Sequence, residues 1–346
     1  MDKIKVLIVD DSSFVRKALT RIFASETGIE VAGSASSGAE AVEKISSMAP
    51  DVVTLDIMMP GMDGIETLRR IMEKRPTPVL MLSQHTHEGA DLTLNALELG
   101  AMDFVDKSSA GLMDFFGLGR EIVSKVRAIA GSKPFRMRTP MAPPGEYGGT
   151  GKVDMVAIGT STGGPSALQV LLSKFPKEIG FGILVVQHMP PGFTGPLAKR
   201  LDSVCDIRVK EAEEGDRIES GTALIAPSGL HTTIKKGLAS DDGSHRHCLI
   251  KLDREPAEEV HRPSVDVLFR SVAKHYGSRS IAVIMTGMGS DGVKGMKEIR
   301  DAGGYTIAQD EATSAIFGMP RVAIANHVVK KVLPLTSIAE EILQRA

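Results

Sequence analysis

The chain has 346 residues, too many for one ordinary hydrophobic core and enough for two. Apolar residues at 42% and charged residues at 24% exclude a disordered or membrane-embedded chain, and a net charge of -2 gives nucleic acid no electrostatic claim as the main partner. Cys205 and Cys248, the only two cysteines, exclude a disulfide framework and a clustered zinc site, so a reducing, cytoplasmic setting is expected.

The opening MDKIKVLIVDD puts acids directly after a short apolar run, which fits neither a secretory signal nor a membrane span. From Ile4 to about Arg127, short β-branched runs at 4–9, 52–55, 79–82 and 104–105 alternate with helically spaced apolar residues at 13–24, 39–48, 65–73 and 91–99. That alternation predicts a doubly wound α/β domain with a parallel sheet. Ligands of such sheets collect outside the carboxyl ends of the strands, where this sequence places Asp10, Asp11, Asp56, Ser83 and Lys107. Three converging carboxylates repel unless a divalent cation sits among them, and hard oxygen ligands suit Mg2+. Asp10, Asp11 and Asp56 are the expected metal ligands, Asp56 the phosphoryl-accepting nucleophile, and Ser83 and Lys107 the groups that hold the transferred oxygens.

This pattern, with MMPGMDG after Asp56 and the later ALELGAMDF, resembles the receiver domains of bacterial response regulators over about residues 1–125. The resemblance implies a flavodoxin-like, five-stranded parallel sheet and a histidine kinase as phosphoryl donor. One departure stands out: receivers usually follow the conserved lysine with proline, and here Ser108 follows Lys107.

Residues 126–151, rich in Pro and Gly from 131 onward, are expected to be a linker. Strand-like runs resume at 153–158, 183–186, 223–225 and 281–285 and predict a second, mostly parallel α/β domain over 152–346. The polar stretch 237–252 interrupts them as a hairpin or loop excursion. The first strand runs into Gly159-Thr160-Ser161-Thr162-Gly163-Gly164, a strand-turn-helix context that exposes a serine nucleophile. The second ends at His188, a candidate general base, and the last enters a Gly-rich turn with Asp291, which would hold the imidazole tautomer. Each residue alone also reads as a helix cap or a structural strand end; three complementary groups at one sheet edge favour a relay. The Met288 amide is the leading oxyanion donor. His231, His245, His247 and His261 lack a metal-ligand spacing and are expected on loop surface.

The order Ser, His, Asp differs from that of ordinary α/β-hydrolases. With HRPSVDVLF from His261 and SAIFGMP from Ser314, the second domain resembles the catalytic domain of chemotaxis protein-glutamate methylesterases, the CheB family, over about 152–346. The resemblance implies a triad of Ser161, His188 and Asp291 with the Met288 backbone as oxyanion donor, no cofactor in this domain, methylated chemoreceptors as substrates, and deamidation of receptor glutamine as a second activity. Removal of a methyl group would restore negative charge to a receptor and give adaptation feedback, and a leading receiver on a short linker predicts that, unphosphorylated, it covers the esterase cleft. The alternatives are a receiver-controlled, non-catalytic receptor-docking module and a broad small-molecule esterase. A transcription regulator is disfavoured by the long α/β output domain.

Overall fold

The computed structural model of the chain describes residues 3–83, 87–107, 115–132, 153–239 and 246–346. The chain divides into two compact units, Met1–Thr139 and Pro140–Ala346, each with its own parallel sheet. Among the described residues no helix is long and apolar enough to cross a membrane.

In the first unit the buried β-branched runs form β1 (Ile4–Val9), β3 (Val52–Asp56), β4 (Val79–Ser83) and β5 (Asp103–Asp106). A further strand, β2 (Ile29–Ala35), is not marked by its hydrophobic pattern; it lies at the sheet edge, and only its two end residues are buried. The order β2-β1-β3-β4-β5, parallel throughout, is the flavodoxin-like one. Chain direction across the sheet reverses between β1 and β3, so the crevice opens where Asp10 and Asp11 follow β1 and Asp56 closes β3. The helices α1 (Ser13–Ala24), α2 (Gly38–Met48) and α3 (Gly64–Lys74) start at side-chain caps: Ser12, Ser37 and Asp63 accept from the Val15, Glu40 and Glu66 amides. After α4 (His87–Glu98), α5 (Phe115–Ile129) packs against α1. It continues to Ile129, so the stretch expected as linker from residue 126 begins inside a helix; residues 133–152 lie outside the described residues.

The second unit has seven parallel strands in the order β14-β13-β12-β6-β7-β9-β8. The expected runs give β6 (Met155–Thr160), β7 (Gly182–Gln187), β9 (Thr222–Ile225) and β12 (Ser280–Ile284), all buried along their length. Each fully buried Val, Leu or Ile there contributes roughly 1.5–3 kcal/mol. Three further strands, β8 (Arg208–Glu211), β13 (Tyr305–Gln309) and β14 (Lys331–Leu333), are short, and β8 and β14 are half-exposed edges with no clear alternation. The polar interruption holds an antiparallel pair, β10 (His231–Ala239) and β11 (Arg246–Asp253). It is anchored: Ile234 and Ile250 share a core with Leu268, Phe269 and Val272 of α8 (Val265–Tyr276), and the Ile234 amide donates to Ser271 Oγ at 2.8 Å.

Candidate active site

The strands β12, β6 and β7 are neighbours at the middle of the seven-stranded sheet, so their carboxyl ends share one rim. Ser161 follows β6 and His188 follows β7. The Ser161 amide donates to Thr286 O at 3.0 Å, which ties the β6 turn to the loop after β12. A Cβ on Gly287 would lie 2.7 Å from Ser161 Cβ, so only glycine allows that loop to come so near. Gln187, 2% exposed, spans the two strand ends. Its Nε2 donates to Ser161 O at 2.9 Å and to His188 O at 3.0 Å, while its Oε1 accepts from Thr160 Oγ1 at 2.6 Å. A Cβ on Gly164 would fall 1.9 Å from that Oε1, which explains the glycine where α6 (Gly164–Leu172) begins.

Asp291 sits just before α9 (Val293–Asp301), yet its carboxylate is held by the start of α8. Oδ1 accepts from Ser264 Oγ and the Asp266 amide, both at 2.9 Å, and Oδ2 from the Val265 amide at 2.8 Å. The helix amides and dipole favour an anion there. Burial alone would raise its pKa; the His188 hydrogen bond and charge and the two amides outweigh burial and hold it at about 2. An ionised carboxylate only accepts, so His188 Nε2, 2.8 Å from Asp291 Oδ2, carries the hydrogen and Nδ1 is the basic nitrogen. Among the described residues Ser161 Oγ makes no hydrogen bond, to His188 or to another group. Catalytic hydrogen bonds commonly close only when substrate is in place.

Among the described residues the Met288 N–H also has no hydrogen-bond partner, although its neighbour Gly287 donates to Ile316 O at 3.0 Å. Thr286 Oγ1 donates to Thr162 O and accepts from the Ile316 amide, each at 2.9 Å, which fastens the 314–320 segment over this turn. Of the histidines expected on loop surface, His231 departs from that setting. His231 is fully buried, its pKa lowered chiefly by that burial, and Nδ1 accepts from the Ser264 amide at 3.3 Å. His261 is exposed on a loop as expected, and its ring stacks on His188 with centroids 4.2 Å apart and planes 18° apart. Loss of solvent around that ring, then the His188 charge, pulls its pKa below the ordinary value, with Asp291 opposing. His245 lies outside the described residues.

In the first unit, carboxylate oxygens of Asp10, Asp11 and Asp56 lie within 4.8 Å of one another. Asp10 and Asp56 are buried and Asp11 is exposed. Lys107 Nζ is 2.8 Å from Asp56 Oδ1 and 3.2 Å from Asp10 Oδ2. Burial, reinforced by the Asp10 charge and opposed by Lys107, pushes the Asp56 pKa up to about 6. Ser83 Oγ lies 2.7 Å from Thr93 Oγ1 of α4, within hydrogen-bond reach. Ser108 lies outside the described residues.

Residues 156–342, more than half of the chain, match the family described as CheB methylesterase, and residues 6–112 match the response regulator receiver domain. The chain belongs to the CheB methylesterase family. A protein of Symbiobacterium thermophilum, named protein-glutamate methylesterase/protein-glutamine glutaminase, is 46% identical across 98% of this chain and 96% of its own. One of Archaeoglobus fulgidus with the same name is 45% identical across 98% and 97%. Among solved structures, the Thermotoga maritima CheB methylesterase catalytic domain is 41% identical, with a TM-score of 0.52, covering 55% of this chain and 97% of that one. In this CheB chain Ser161, His188, Met288 and Asp291 fall within the methylesterase match, and Asp10, Asp11, Asp56, Ser83 and Lys107 within the receiver match. Strand-end reasoning overlooks Gln187, Ser264 and His261. The signal available for the last two is the HRPSVDVLF segment, which the resemblance used without assigning its residues work.

Proposed function

We propose that the chain is a phosphorylation-activated protein-glutamate methylesterase, cytoplasmic, that hydrolyses glutamyl methyl esters on chemoreceptors and deamidates receptor glutamines. The observation that carries this reading is Asp291, ionised and fixed by four donors, holding His188 with Nδ1 basic beside the strand end that bears Ser161. His188 Nδ1 takes the Ser161 proton as Oγ bonds to the ester carbonyl carbon. The carbonyl oxygen becomes an oxyanion facing the Met288 N–H. Collapse breaks the C–O bond, His188 returns its proton to the leaving oxygen, and methanol departs. Water, deprotonated by the same imidazole, then cleaves the acyl-enzyme to a glutamate carboxylate and restores Ser161. With a glutamine the same sequence releases ammonia. Restoring a negative charge on a receptor biases its signalling equilibrium and so provides adaptation feedback.

In the receiver, Asp56 accepts a phosphoryl group from a histidine kinase of the chemotaxis type. Its neighbours Asp10 and Asp11 complete a hard-oxygen set that fits Mg2+, and the costly ionisation of buried Asp56 beside Asp10 is what a cation would relieve. Bound Mg2+ would supply neutralising charge for the phosphoryl oxygens. Lys107 and Ser83 hold those oxygens, and phosphorylation raises the esterase rate.

The deciding measurement is methanol release from methylated receptor by wild type and Ser161→Ala, with and without a small phosphodonor and Mg2+. Loss of release in Ser161→Ala, by about 1000-fold or more, is expected. Equal release by both would return the second unit to a docking role.

A further inference from the structure

The stacked histidine pair is not used by the triad as described. Asp291 fixes His188 at one atom, Nε2, and a single hydrogen bond leaves the ring free to tilt about that contact. His261 lies flat against one face of the ring, 4.2 Å between centroids and 18° from parallel. It is held there by a pinned segment: Arg262 O accepts from the Gly229 amide at 3.0 Å, Pro263 is buried, and the Ser264 amide is bonded to His231 Nδ1. The next residues, Ser264 to Asp266, are the ones that grip Asp291. One short stretch of chain therefore touches both the acid and the base of the relay.

We propose that His261 is a positioning residue for ester hydrolysis, its ring holding the His188 imidazole in the plane that serves both Asp291 and Ser161 and facing the positive charge His188 gains as the Ser161 proton leaves. The charged groups that face it are His188 and Asp291. A neutral imidazole stacked on an imidazolium is attractive, whereas two imidazoliums at this separation repel. The displaced titration of His261 keeps the ring in its neutral form at neutral pH. Because the charge on His188 develops on the way to the transition state, the benefit falls on kcat and leaves KM alone.

The inference rests on the relay read above, and its test separates the two. Methanol release from methylated receptor is measured with the full chain as wild type, Ser161→Ala, His261→Ala, His261→Leu and His261→Phe. The expected result is loss of release in Ser161→Ala, kcat lowered about fivefold in His261→Ala and His261→Leu with KM unchanged, and recovery to within about twofold in His261→Phe, the scale of one stacked ring. Wild-type kcat in His261→Ala, a change confined to KM, or a Leu variant as active as the Phe variant would each overturn the role of the ring. If His261→Ala is poorly folded, the Leu and Phe pair still decides. Full release by Ser161→Ala would instead overturn the relay itself.

Discussion

Gln187 carries no chemistry, yet it spends every hydrogen-bonding group of its amide within the site. Its two N–H bonds go to the carbonyls of Ser161 and His188, and its oxygen accepts from Thr160. Gln187→Leu would leave the His188 carbonyl without its amide partner, at a cost of roughly 1–3 kcal/mol, and would take one hydrogen bond of roughly 0.5–1.5 kcal/mol each from Ser161 O, which keeps the Gly164 amide, and from the Thr160 hydroxyl, which keeps Val186 O. We expect a stability loss of about 2–4 kcal/mol by denaturant midpoint. A kcat drop of roughly 10–100-fold should accompany it, because the distance from Ser161 to His188 is no longer held. Wild-type kcat in a destabilised Gln187→Leu would show that the bridge serves stability alone. This residue also marks the limit of legibility. Ser161, His188 and Asp291 can be picked from the chain because a strand end bearing a hydroxyl, an imidazole or a carboxylate is informative by residue type. A strand-end glutamine is not, and neither is a histidine 73 residues from the one it stacks on.

At the scale of elements, the site depends on two helices that finish each other. Asp291, which precedes α9, accepts from the first amides of α8, and Asp266, in the first turn of α8, accepts from the Gly295 amide of α9 at 2.7 Å. The reading of Asp291 as a helix cap and its reading as the partner of His188 are therefore both met by one carboxylate, which caps a neighbouring helix and not its own. Its folded pKa, about 2, lies below the ordinary 3.8. The stabilisation is thus complete above about pH 4 and is lost as pH falls through 2, amounting to about 2 kcal/mol. Between pH 5 and 2 the wild type should lose about that much more unfolding free energy than Asp291→Asn. Parallel losses would mean the carboxylate is not gripped. The elements that escape sequence reading have a common cause. Strands β2, β8 and β14 sit at sheet edges with one face wet, and β13 (Tyr305–Gln309) breaks its apolar residues with Thr306 and Gln309, so none shows the apolar run of a central strand. The hairpin is legible from the polar stretch 237–252, but its anchoring is not: Ile234 and Ile250 join the core beneath α8.

For the whole molecule, two units with separate cores should report separately on their own sites. Asp56 titrates in the direction opposite to Asp291. Its folded pKa, about 6, exceeds the ordinary 3.8, so the native receiver keeps the proton longer than the unfolded chain does. That contribution is full below about pH 4 and disappears as pH rises through 6, leaving the metal-free receiver about 3 kcal/mol less stable at pH 7 than it would be with a neutral group there. In chelator at pH 8, Asp56→Asn should raise the receiver's unfolding transition, and at pH 5 the gain should shrink. Millimolar Mg2+ should raise the same transition in the wild type more at pH 8 than at pH 5, because binding requires the ionised carboxylate. The catalytic unit's transition, followed separately, should move with neither, since each unit has its own sheet and core. An Asp56→Asn receiver no more stable than wild type in chelator, or an equal Mg2+ response in the two, would show that the three carboxylates are not a strained site awaiting a cation.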